Sequence, residues 1–187
     1  MLRRADHRLV DLVTTLDTTD LDLPSPCSGW DVRSLLSHTV ASIDAFAAAV
    51  DGGEGPTEQE LFSGADILGA DPLAVVRGGS IERSQRAWST ITDWERPVTS
   101  VLGEMPAGQA VGIVTYSTLI HGWDLAVAIN RAVEFDEAEA TLAEQVGGSA
   151  LVPALRPQDL FGPAVPTDGG ATPPTQRVVA FAGRHPF

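Results

Sequence analysis

The chain has 187 residues, 43% hydrophobic and 20% charged, enough to bury a real core in one domain or one domain with an extension. Twelve arginines face 25 acidic residues, a net charge of −13, which argues against a nucleic acid or an anionic membrane as partner. No lysine occurs, so Schiff-base chemistry and a Walker-type phosphate loop are excluded, and the single Cys27 excludes an internal disulfide and a multi-cysteine zinc site.

Taken in chain order, Leu9, Val10, Leu12, Val13 and Leu16 recur at helical spacing, so a first helix is expected over Arg3 to Asp17. Two prolines mark Leu21 to Pro26 as a linker. Ser28, with Asp31 three residues later, reads as the cap of a second helix through Leu35, Leu36, Val40, Ile43, Phe46 and Val50 that stops at Gly52-Gly53. Residues 52–70 are rich in glycine and acid, a long loop or a short helical turn. Asp71-Pro72 opens a third helix to about Ile91, with Gly78-Gly79 as its weak point.

A short β-hairpin is expected near 97–105, from the β-prone Pro97 to Val101 and the glycine at 103. Pro106 starts a fourth helix, apolar on most faces and running to Asn130, the pattern of a helix buried in a bundle. Asp136 with Glu139 caps a fifth, ending at Gly147-Gly148. The tail 151–172 reads as irregular, and Pro173 to Ala182 as a final short helix. Val111 to Ile120, the longest apolar run, is too short to span a bilayer, and the charged N-terminus lacks a signal core. An all-α, cytoplasmic protein is expected.

Two histidines stand out, each on an apolar helix that also carries a tryptophan and an aspartate. His38 lies on the flank of the second helix's apolar stripe. His121 shares a face of the fourth helix with Ser117, four residues earlier, and Asp124, three later. Histidines on separate helices can converge in a bundle core, and neutral imidazole is a common metal ligand. Each is otherwise read as a core histidine bonded to a carbonyl or hydroxyl. Asp124 is otherwise an anchor to a helix end or to Arg33. Cys27 reads as a packed linker cysteine, and a helix starting near Trp30 sets His38 about 12 Å further along its axis.

Three motifs occur together: Pro-Ser-Pro-Cys-Ser-Gly-Trp-Asp-Val-Arg-Ser-Leu-Leu-Ser-His over 24–38, His-Gly-Trp-Asp-Leu-Ala over 121–126, and the run from Arg177 to Pro186. In this order they resemble the actinobacterial branch of the DinB-like superfamily, related to the N-terminal domain of mycothiol-dependent maleylpyruvate isomerase. The resemblance implies a DinB-like four-helix bundle over 1–150 and a C-terminal extension over 151–187 packed on it. It also implies a divalent metal, zinc or nickel, held by the second and fourth helices. The family ligands are a histidine and a later Glu-x-x-x-His pair. His38 and His121 match the histidines, but Ser117 stands at the glutamate position, and neutral serine is a poor ligand. Asp124 is then the candidate third ligand.

The implied activity is a transferase or isomerase using a low-molecular-weight thiol such as mycothiol and a small-molecule substrate, with Arg33 or Arg83 receiving anionic groups. The alternative is a non-catalytic bundle, a homodimer or small-molecule binder with a degraded metal site, which Ser117 favours.

Overall fold

The computed structural model describes residues 1–151 and 161–185, apart from the side chains of residues 150, 151 and 169. The chain divides into two compact units, Met1–Arg131 and Ala132–Phe187. The first is helical with one small hairpin. Helix α1 spans Leu2–Thr14, α2 Val32–Asp51, the short α3 Glu58–Phe62, α4 Glu82–Ser89 and α5 Ala107–Ala128; β1 (Pro97–Ser100) and β2 (Gly103–Pro106) lie between α4 and α5.

Helix α5 packs against both α1 and α2, and α2 packs against α4, giving the four-helix bundle. The uniform hydropathy of α5 has the expected consequence: Val114, Leu119 and Ile120 lie on different faces and are all buried. Leu9 and Val13 of α1 and Val32, Leu35, Leu36 and Val40 of α2 fill the remaining core. The expected hairpin is present, antiparallel, with Val98 opposite Met105.

Two local expectations are refined. The cap of α2 is Asp31, whose carboxylate accepts from the Ser34 amide at 2.8 Å; Ser28 does not serve. Residues 24–31 are already committed to a closed turn, through a Pro24–Asp31 bridge and a Ser25 amide bonded to the Trp30 carbonyl at 3.0 Å. The helix therefore cannot begin before Asp31. In the third predicted helix the weak point at Gly78-Gly79 appears as a π-helical stretch, Ala74–Ile81, running straight into α4. The Asp71 carboxylate bonds the Ala74 amide at its start. Glycine pairs offer no side chain to resist the looser winding.

The second unit holds α6 (Glu137–Val146) and α7 (Pro174–Phe181), which pack together. The capping box at Asp136 and Glu139 is formed as expected. Arg177, first residue of the third motif, bonds Glu137 at 2.7 Å and Glu144 at 2.8 Å, tying α7 to both ends of α6. The irregular tail expected over 151–172 lies outside the described residues at 152–160.

Candidate metal centre

The site is built where α2 and α5 face each other, with two loop segments closing over it. His38 is carried two turns into α2 by the Asp31 cap. Its Nδ1 bonds the backbone carbonyl of Leu61, the penultimate residue of α3. A carbonyl only accepts, so Nδ1 carries the proton and Nε2 keeps its lone pair. Such second-partner bonds fix the tautomer of metal-ligating histidines. The accepting carbonyl is itself well placed. Leu61 is buried in a cluster with Ala41 and Ala45 and packed by Ile67, and Thr57 and Glu60 form a complete capping box at the start of α3.

The His38 ring lies 4.9 Å from the Trp30 ring and 4.8 Å from the His121 ring, centre to centre, the second pair edge to face. The two histidine rings, one on α2 and one on α5, are thus in contact with each other. Burial drives the His38 pKa down to about 4; the nearby His121 charge adds to this, and the Leu61 bond and Asp124 partly oppose it. His38 is therefore neutral at pH 7, the form that binds metal.

On α5, His121 and Asp124 meet across one helical turn. His121 Nδ1 lies 3.2 Å from Asp124 Oδ2, and the Asp124 side chain is completely buried. The same Oδ2 accepts from the Cys27 thiol at 3.4 Å. Ligand atoms of Cys27, His121 and Asp124 all lie within 4.8 Å of one another, the metal-capable group found among the described residues. His38 stands beside this group through its ring contact with His121. Of the residues singled out in the sequence, the structure brings His121 and Asp124 into direct contact and sets His38 against them.

Cys27 is the residue the sequence undervalued. The distance along α2 concerns His38 alone; Cys27 precedes the helix and sits on a turn that brings it to Asp124 of α5. That turn is held by the Cys27 amide on Ser25 Oγ at 3.2 Å, Ser25 Oγ on the Trp30 carbonyl at 2.8 Å, and a left-handed Gly29 at φ 80°. The available signal was the Pro-x-Pro-Cys-x-x-Trp spacing, which is turn chemistry. The two arginines considered for anion binding are both ion-paired. Arg33 bonds Asp66 at 3.1 Å, and Arg83 bonds Asp51 at 2.9 Å, joining α4 to α2. Arg33 is engaged by Asp66 and does not anchor Asp124, which meets His121 and Cys27.

The donor set fits a divalent cation. Tetrahedral zinc with bonds of about 2.0–2.3 Å puts neighbouring donor atoms about 3.3–3.8 Å apart. The observed 3.2 and 3.4 Å contacts are close to such edges. Imidazole, carboxylate and thiol together suit zinc better than magnesium or calcium.

Comparison with known proteins places the fold. The family profile described as mycothiol maleylpyruvate isomerase N-terminal domain matches residues 2–126. Two uncharacterized proteins, from two strains of Mycobacterium tuberculosis, are each 26% identical over 97% of this chain and 94% of their own. Among solved structures, mycothiol-dependent maleylpyruvate isomerase is similar at a TM-score of 0.58 and 20% identity, and a histidine-to-alanine mutant of it at 0.60 and 19%. Both cover 76% of this chain, and the chain spans 64% of theirs. These neighbours share the fold.

Proposed function

Because the chain belongs to the mycothiol maleylpyruvate isomerase N-terminal domain family, we propose that it is a divalent-metal protein whose site, formed by His38, His121 and Asp124, serves a transferase or isomerase reaction dependent on a low-molecular-weight thiol such as mycothiol. The observation that carries the reading is the meeting of His38, His121 and Asp124 where α2 faces α5: the two rings are 4.8 Å apart, centre to centre, and His121 Nδ1 lies 3.2 Å from the buried Asp124 carboxylate. The His38 ring is held in one orientation by the Leu61 carbonyl before any ligand arrives, as metal-binding imidazoles are.

When bound, a divalent cation favours thiolate over thiol and so supplies a nucleophile at neutral pH. The chain's own residues prepare the place. His38 offers Nε2 as a neutral donor with no proton to displace at pH 7. Asp124, completely buried, supplies negative charge to offset a cation. Trp30, against the His38 ring, and the Leu61 segment keep the imidazole from turning toward water. No described helix is long and apolar enough to cross a membrane. A cytoplasmic setting, with a small-molecule substrate and no nucleic-acid partner, belongs to the same proposal.

Ser117 favours a second reading, a bundle whose metal site has decayed, since the carboxylate that the family pattern places one turn before His121 is missing. Metal analysis of protein purified without chelator or added metal separates the two. Near one equivalent of zinc or nickel, lost in His121→Ala, supports the first; no metal, with no thermal shift on adding zinc, supports the second. The thiol requirement is tested on loaded protein by titration with mycothiol, where absence of saturable binding would remove that part of the reading.

A further inference from the structure

Resting on the metal reading above, we infer that Cys27 is a resident thiolate ligand, which takes over the charge that the family pattern assigns to the position of Ser117 and makes this a mixed sulfur, nitrogen and oxygen site. Three observations converge. Cys27 Sγ approaches Asp124 Oδ2 to 3.4 Å, although the two residues are 97 positions apart and on different segments. Its sulfur, an imidazole nitrogen of His121 and a carboxylate oxygen of Asp124 fall within 4.8 Å of one another. Ser117, on the same face of α5 as His121, offers a hydroxyl where the pattern has a carboxylate.

The chemistry explains why these belong together. A cysteine kept for packing is usually buried among apolar side chains. Cys27 is instead half-buried, with its sulfur against a completely buried carboxylate and near an imidazole. In the structure the Cys27 thiol donates a hydrogen bond to the Asp124 carboxylate. A divalent cation would take the place of that shared proton. The thiol proton goes to solvent, and the thiolate and carboxylate together neutralise the two positive charges. A glutamate at 117 would have given the same charge balance with oxygen alone.

Sulfur changes what the site selects. A thiolate ligand favours zinc, cobalt or nickel over magnesium, manganese and calcium. It also comes from a turn outside the helices. The turn can approach the 3.3–3.8 Å or so expected between tetrahedral donors without moving α2 or α5.

Cobalt(II) is the probe for the test, because sulfur coordination gives an intense near-ultraviolet charge-transfer band, distinct from the visible ligand-field bands given by any donor set. Metal-free protein is titrated with cobalt(II) alone. The expected result is both sets of bands in the parent, with the charge-transfer band lost and ligand-field bands kept, at affinity weaker by about tenfold or more, in Cys27→Ser. Ligand-field bands without the charge-transfer band in the parent would overturn the assignment of Cys27 while leaving the metal reading standing. No cobalt or zinc binding at all would overturn the metal reading itself.

A second measurement needs no variant. Reaction of Cys27 with an aromatic disulfide reagent is followed with and without saturating zinc. Slowing by about tenfold or more is expected if the metal holds the thiolate. An unchanged rate in protein that binds zinc would overturn the proposal.

Discussion

Replacing Asp6 by asparagine should stabilise the protein at neutral pH, and the size of the effect follows from where the side chain sits. Asp6 lies on α1, completely buried. Its Oδ1 has no hydrogen-bond partner among the described residues, and its Oδ2 meets Gln85 Nε2 at 3.5 Å. Burial pushes the carboxyl pKa from 3.8 up to about 7, with the Gln85 bond and the N-terminal charge holding it back in part. The fold therefore prefers the neutral acid. Stability from this group is fully present below pH 3.8 and is lost as pH rises through about 7. At roughly 1.4 kcal/mol for each tenfold change, the loss approaches about 4 kcal/mol above pH 7. Side-chain relaxation and water entry reduce it, so a gain of about 2–4 kcal/mol is expected for Asp6→Asn near pH 8.

Asparagine is nearly isosteric, keeps an acceptor for Gln85 and carries no charge at any pH. Urea unfolding of parent and variant, followed by circular dichroism, should give nearly equal stabilities near pH 4 and a widening gap up to about pH 8. His38 acts in the opposite sense, since its lowered pKa makes stability fall as pH drops from 6.5 through about 4. Comparing the two proteins at each pH cancels that contribution. A variant no more stable than the parent near pH 8, or an equal gain at both ends of the range, would refute the reasoning.

Ser117→Glu returns a carboxylate to the turn before His121. It should lower the melting temperature of the metal-free protein and enlarge the gain on adding zinc, and His121→Ala in that background should abolish the enlarged gain; an intact fold with no added zinc response would count against the shared site. Gly64→Ala should cost about 2–4 kcal/mol, because Gly64 has φ +65° and a Cβ there would lie 2.9 Å from Ser34 Cβ. Gly29→Ala, at φ +80° with nothing within 4 Å, should cost about 1 kcal/mol. Equal losses by urea titration would show that the contact with Ser34 carries no strain.

Most of the fold was legible because its signals are local. The cap at Asp136, the proline at 106, the glycine pair at 52–53 and the hairpin glycine act within a few residues of themselves, and the chain obeys them. The even hydropathy of α5 announced a helix surrounded by others. His38 and His121 could be singled out for the same reason, as polar groups on helices that had to be buried.

Whether two such groups meet depends on the rotation and register of α2 against α5, which side-chain packing decides over the whole interface and no short spacing encodes. The position of Cys27 depends on more than its own turn, since the Pro24–Asp31 closure only becomes a contact with Asp124 once α5 is docked beside it. The partner of His38 was beyond local reading as well, because the Leu61 carbonyl lies 23 residues away on a short helix held by side-chain burial. Sequence alone determined which side chains could bind a metal, through the chemistry each residue carries. Tertiary structure decided which of them share one point in space, because long-range packing sets distances that local periodicity leaves open.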